Sequence, residues 1–181
     1  MKTDSELVLA FKNGSDDAFG EIMARYRQPL HNFLGGTFEA SDLVQETFSK
    51  AYNNIHSFNE RTSSSFKCWL YKIARNCQID ACRKNNRHQI ALDSFSVLGK
   101  TNVRPPFSAL VQNEYKEQVR KCIDDLSEMQ REVLIMSYYH DLKYNQIAEI
   151  LGCSLSAVKT HMSRAVLRLA QTLPTPDKGD L

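Results

Sequence analysis

Residues 144–170 read YNQIAEILGCSLSAVKTHMSRAVLRLA, and their periodicity decides the class of fold and the surface it displays. Ile147, Ala148, Ile150 and Leu151 share one helical stripe, Gly152, Cys153 and Ser154 interrupt it, and Leu155, Val158, Met162 and Leu169 carry a second stripe onward. Gly152 has the freedom to take the positive φ that ends a helix, and Ser154 carries a side-chain oxygen that caps the next one. The spacing is that of a helix-turn-helix. On its second helix Ser156, Lys159, Thr160, Ser163 and Arg164 project away from Val158 and Met162, presenting donors and positive charge with no carboxylate. Such a face fits the major groove of duplex DNA. A helical hairpin with a solvated basic face is the plainer reading of the same spacing.

The rest of the chain repeats this helical grammar. Thr3 and Glu6 have capping-box spacing ahead of Leu7, Val8 and Phe11, and Gly14 follows as the residue just past a short first helix. Phe19, Ile22, Met23, Tyr26, Leu30, Phe33 and Leu34 recur at three- and four-residue steps, with Pro29 inside the run and Gly35-Gly36 ending it. A third helix is expected from about Ser41, burying Leu43, Val44, Phe48, Ala51, Tyr52 and Ile55, with Asp42, Gln45, Glu46, Ser49, Lys50 and Asn53 on its polar face. A fourth is expected from about Phe66 to Asn86. There Phe66, Trp69, Leu70, Ile73, Ala74, Cys77 and Ile79 oppose a basic face of Lys67, Lys72, Arg75, Arg83, Lys84 and Arg87, and Lys72, Asn76, Arg83 and Arg87 form one polar stripe. Ser127 and Gln130 again have capping-box spacing, before Val133, Leu134, Met136 and Tyr138. No segment alternates strictly in the manner of a strand, so the class is all-α.

Between about Gln89 and Val111 the periodicity lapses and Gly99, Pro105 and Pro106 appear, which predicts a flexible linker between two small helical domains. The expected division is 1–90, a linker over 91–112, a helix-turn-helix domain over 113–173, and a tail over 174–181. Charge follows the same division. Residues 1–60 hold 9 acidic and 5 basic side chains, whereas 67–88 hold 1 and 6; residues 112–142 hold 7 and 4, whereas 143–168 hold 1 and 4. The overall charge of +2 is the sum of these unlike blocks. Each basic block suits a polyanion, and each acidic block suits solvent or a protein. On the fourth helix, Phe66, Trp69 and Tyr71 could stack on unpaired bases beside that basic face, although packing into the core is an equally good use of Phe66 and Trp69.

At 42% hydrophobic and 24% charged residues the composition is that of a globular protein. Its five cysteines, Cys68, Cys77, Cys82, Cys122 and Cys153, lack zinc or redox spacing and read as reduced core thiols. No apolar run reaches the length of a membrane span and the amino terminus lacks a signal-peptide core, so a cytoplasmic location without membrane insertion is expected. The five histidines lack recurring carboxylate or cysteine partners, and no glycine-rich phosphate loop occurs. Neither an enzyme, a metal site nor a cofactor is expected.

Three blocks in order carry a family resemblance: DLVQETF at 42–48; WLYKIARN at 69–76 with Ile79-Asp80 and Arg83-Lys84; and LSEMQREV at 126–133 leading into residues 144–165. In this order they resemble the extracytoplasmic-function (ECF) sigma factors, the smallest members of the sigma-70 family. The resemblance implies an amino-terminal domain that grips the clamp of the polymerase beta-prime subunit and captures melted minus-ten DNA. It also implies a carboxy-terminal domain that reads the minus-thirty-five element and meets the flap of the beta subunit. Core RNA polymerase and promoter DNA are then the partners, and an anti-sigma factor the expected restraint. By position, Asp42, Gln45, Glu46 and Ser49 would meet the clamp. Residues 59–65 would shape a pocket for a flipped-out base, with Lys72, Asn76 and Asp80 nearby, and Arg83, Lys84 and Arg87 would continue the minus-ten surface. Ser156, Lys159, Thr160, Ser163 and Arg164 would read the minus-thirty-five element. Lys143 departs from the family pattern, which has serine or threonine at the start of that helix. A single-component helix-turn-helix regulator is the other reading, and it leaves the first ninety residues poorly explained.

Overall fold

The computed structural model describes residues 2–35, 38–59, 65–92, 119 and 121–172, without the side chains of Phe38 and of residues 85–92. Every regular element among them is helical, as the periodicity requires. The chain separates into two compact units, 1–106 and 107–181. Most of the expected linker lies outside the described residues, as does the tail.

In the first unit α1 (Asp4–Lys12) starts at a complete capping box: the Glu6 N–H donates to Thr3 Oγ1 at 3.3 Å and the Thr3 N–H donates to Glu6 Oε2 at 2.6 Å. It ends in a Schellman arrangement, with the Ser15 N–H on the Ala10 carbonyl, the Gly14 N–H on the Phe11 carbonyl, and Gly14 at φ +97°. α2 (Asp16–Phe33) lies against α1 and carries Pro29 within it. Asp4 joins the two helices, accepting from the Tyr26 hydroxyl and pairing with the Arg25 guanidinium, while Arg25 Nη2 also reaches the Lys2 carbonyl at 2.7 Å. Burial, reinforced by the Asp4 carboxylate, pushes the Tyr26 phenol far above its ordinary pKa, so it keeps the proton that it donates to Asp4.

α3 (Phe38–Asn54) begins three residues earlier than its periodicity suggested and runs into a short 3₁₀ turn, Ile55–Ser57. α4 (Phe66–Leu92) is capped by Ser65, whose Oγ accepts the Cys68 N–H at 3.1 Å, and continues six residues past the expected end at Asn86. α3 packs on α2 and α4, and the core contains Leu7, Phe11, Ile22, Leu30, Phe48, Ile55, Phe66, Leu70 and Tyr71. Burying aliphatic or aromatic side chains of this size contributes about 1.5–3 kcal/mol each. Two expected core residues are exposed: Met23 at 42% and Tyr52 at 46%. Tyr52 still covers the core edge-on, with its ring 5.1 Å from both Phe11 and Phe19.

In the second unit α5 (Glu128–Tyr138), α6 (Tyr144–Leu151) and α7 (Leu155–Thr172) all touch one another around Val133, Met136, Ile147, Val158, Met162 and Ala165. Leu155, expected on the apolar stripe of α7, is exposed, and so is Tyr138 of α5. Cys68, Cys77 and Cys122 are buried, Cys82 and Cys153 are half-buried, and all are free thiols.

Gly14 and Gly20 make a matched pair, because a Cβ at either meets open space. Gly14→Ala places a side chain at positive φ, so it should destabilise the first unit by about 1–2 kcal/mol. Gly20→Ala, inside α2, should stabilise the unit by about 0.5–1 kcal/mol. Urea unfolding of both variants checks the opposite signs; shifts in one direction would mean that the α1 terminus is wrongly placed.

Candidate nucleic-acid interface

The turn between α6 and α7 follows from three residues. Gly152 adopts the left-handed conformation at φ +67° and sends its N–H to the Ala148 carbonyl, ending α6. Cys153 donates its N–H to the same carbonyl at 3.1 Å, and Ser154 Oγ accepts the Ala157 N–H at 3.2 Å to open α7. α6 starts with half a capping box: Gln146 Oε1 accepts the Lys143 N–H at 2.9 Å, and lysine has no lone pair with which to return the bond.

With Val158, Met162 and Ala165 turned inward, the five residues expected on the reading face are all exposed. Ser156, Lys159, Thr160, Ser163 and Arg164 span about 140° of the helix at 100° per residue, a single face. They are not equally available. Thr160 Oγ1 donates back to the Ser156 carbonyl at 2.9 Å, and the Ser156 hydroxyl lies 3.0 Å from that of Ser154, so both hydroxyls are partly engaged locally. Lys159 and Arg164 are the long cationic groups of this face.

α4 gives the first unit a second polar stripe. Lys72, Asn76, Asp80, Arg83 and Lys84 are exposed along it, while Arg87 falls on the helix with its side chain outside the described ones. The aromatic half of the expected stacking surface is corrected. Phe66 and Tyr71 are at most 2% exposed and belong to the core, where Tyr71 packs 4.9 Å from Phe33 and Phe66 packs 5.5 Å from Phe58. Only Trp69 remains half-buried, held by Phe58 at 5.2 Å and Phe66 at 5.6 Å. The expected base pocket falls largely outside the described residues, which include only Asn59 and Ser65 of 59–65.

On α3, Val44, Thr47, Phe48 and Ala51 face the core, with Thr47 Oγ1 bonded to the Leu43 carbonyl at 2.7 Å. The opposite side shows Asp42, Gln45 and Ser49 to solvent and Glu46 half-buried. Lys50 joins this side to the α4 stripe: its Nζ lies 2.8 Å from Glu46 Oε1 and 3.8 Å from Asp80 Oδ2. The hydrogen bond to Glu46 raises the Lys50 pKa, so the ammonium is a fixed positive charge.

One surface escaped the sequence reading. In the second unit Ile123, Leu134, Ile135, Tyr138 and Tyr139 line an apolar groove of about 390 Å³. Tyr138, 74% exposed, and Tyr139, 54% exposed, form its rim. Adjacent tyrosines just where α5 loses its amphipathic stripe were the available signal. No group of side chains suited to a metal ion occurs among the described residues.

Comparison with known proteins covers both units. Residues 22–88 match the model of Sigma-70 region 2, and residues 116–169 match that of Sigma-70, region 4. The ECF RNA polymerase sigma factor SigW of Bacillus subtilis is 33% identical over 172 residues, covering 87% of this chain and 90% of SigW. The RNA polymerase sigma factor YlaC of the same organism is 33% identical over 162 residues, covering 87% of this chain and 92% of YlaC. Among solved structures, the sigma factor RpoE in complex with the anti-sigma factor NepR, from Bartonella quintana, aligns with a TM-score of 0.65 at 27% identity. That alignment covers 88% of this chain and 98% of the solved one.

Proposed function

The chain belongs to the ECF sigma factors of the sigma-70 family, and from this we propose which of its surfaces meet the polymerase and which meet the promoter. It is an RNA polymerase sigma factor. In our assignment Asp42, Gln45, Glu46 and Ser49 of α3 dock on the polymerase clamp. Lys72, Asn76, Asp80, Arg83, Lys84 and Arg87 of α4 take up the melted minus-ten strand, and α7 reads the minus-thirty-five element. The apolar groove beside Tyr138 seats the flap of the beta subunit. The proposed domains are those of the sequence, 1–90 and 113–173 joined by 91–112 and followed by a tail over 174–181.

The observation that carries the reading is the division of labour in the first unit. An anionic face on α3 and a cationic, donor-rich face on α4 stand side by side on a single core, one matched to a basic protein surface and the other to phosphate. A single-component regulator has no use for that pair. The chain supplies recognition while the polymerase carries out the chemistry, so it needs no catalytic group, metal or cofactor. It works in the cytoplasm alongside the polymerase; among the described residues no helix is long and apolar enough to cross a membrane. An anti-sigma protein is the expected restraint, in keeping with the NepR complex of the solved relative.

Charge reversal tests the α3 assignment. Glu46→Lys or Asp42→Arg should weaken binding to core polymerase by at least about tenfold, because like charges then face each other across the interface. Circular dichroism should stay unchanged, since neither residue belongs to the core. Unaltered affinity in both variants would make this face merely solvated.

Arg164 and Lys159 lie five residues apart on α7 and should fail differently. Arginine can bond a guanine edge bidentately, so Arg164→Ala should cost about 1–3 kcal/mol at one preferred base pair and flatten discrimination there. Lys159 can read a base or hold a phosphate; if it holds a phosphate, Lys159→Ala should weaken every promoter alike and lower the salt slope by about one counterion. Transcription from minus-thirty-five variants altered one base pair at a time separates the two. If both alanine variants transcribe every promoter like the parent, α7 is not the reading helix.

A further inference from the structure

Asp80 is the one acidic residue among residues 67–88, and it stands exposed on the stripe that Lys72, Asn76, Arg83 and Lys84 share. An uncompensated carboxylate there would repel the phosphates that the stripe has to approach. The compensating charge comes from another helix. Lys50 of α3 places Nζ 3.8 Å from Asp80 Oδ2 while holding Glu46 Oε1 at 2.8 Å, so one cation serves two carboxylates. One of the two lies on the face assigned to the polymerase and the other on the face assigned to the promoter.

We propose that Lys50 is a positioning residue for promoter engagement: it holds and neutralises Asp80 so that the α4 stripe can receive a DNA strand, and Glu46 competes with Asp80 for it. Engagement of Glu46 by a cationic group of the polymerase removes the competitor and leaves Lys50 to Asp80. Polymerase binding and DNA uptake are thereby coupled in the favourable direction, through side chains, with no change of fold. Lys50 itself touches neither partner. The inference rests on the assignments of the α3 and α4 faces made above.

The size of the effect follows from the exposure of the pair. The side chains of Lys50 and Asp80 are 41% and 51% accessible, so solvent screens them and the coupling is modest. Double-mutant cycles on exposed ion pairs correspond to about a two- to fivefold change in an equilibrium constant.

The test is a double-mutant cycle on the holoenzyme, reading open-complex formation on a duplex promoter and binding to a pre-melted one. Lys50→Met, which keeps the apolar stem, and Lys50→Gln should each lower promoter binding by about two- to fivefold without weakening core affinity. Lys50→Arg should restore it. With Asp80→Asn already in place, Lys50→Met should cause no further loss, because no anion remains to be neutralised. A full, additive loss in that background overturns the proposal, since Lys50 would then be holding a phosphate itself or only supporting the fold. Unchanged promoter binding in both neutral variants overturns it equally. Two parallel variants report on the underlying assignments. Lys72→Ala without effect on promoter binding would remove the α4 face, and Glu46→Lys without effect on core affinity would remove the α3 face. The Lys50 and Asp80 cycle reads additivity independently of both.

Discussion

The packing of α4 against α3 is the constraint on which the amino-terminal unit depends. Once Phe66, Leu70, Tyr71, Ala74 and Cys77 of α4 and Val44, Phe48 and Ala51 of α3 turn inward, helical geometry leaves Lys72, Asn76, Asp80, Arg83 and Lys84 only one direction in which to point. The same packing turns Asp42, Gln45 and Ser49 outward on α3. Surfaces of opposite sign thus arise from a single apolar contact, and damage to that contact would disturb both. The carboxy-terminal unit uses the same device on a smaller scale, since Val158, Met162 and Ala165 orient the face of α7 by being buried.

What could be read in the chain divides along physical lines. Local signals carried far: the Thr3 and Glu6 box, the Gly14 terminus, the Gly152 and Ser154 turn and the exposed face of α7 each depend on residues within a few positions of one another. Periodicity also distinguished core from surface for most positions, but it is blind to where a core ends. Met23 and Leu155 are exposed despite their place on apolar stripes, and Tyr52 packs against Phe11 and Phe19 at the edge of the core with nearly half its surface open. The converse error befell Tyr71, whose position between Trp69 and Lys72 suggested a base-stacking surface, whereas the ring is buried against Phe33.

Contacts between distant residues lay beyond the sequence. Nothing in residues 42–53 announces that Lys50 will meet Asp80, thirty positions on, and nothing around Tyr26 announces Asp4 as its acceptor. The groove rimmed by Tyr138 and Tyr139 likewise forms only when residue 123 is brought beside α5. Family likeness supplied part of what local reasoning could not, since the three sequence blocks that suggested two recognition domains lie in the segments that match Sigma-70 regions 2 and 4.

The central claim, that this chain confers promoter recognition on the polymerase and does not act on DNA by itself, is tested most directly by footprinting. A promoter is selected from the native genome by holoenzyme binding, and protection is then compared for the chain alone, core polymerase alone and the two together. The account predicts protection of two separate promoter elements only in the combined reaction. Specific protection by the chain alone, unchanged when core is added, would contradict it.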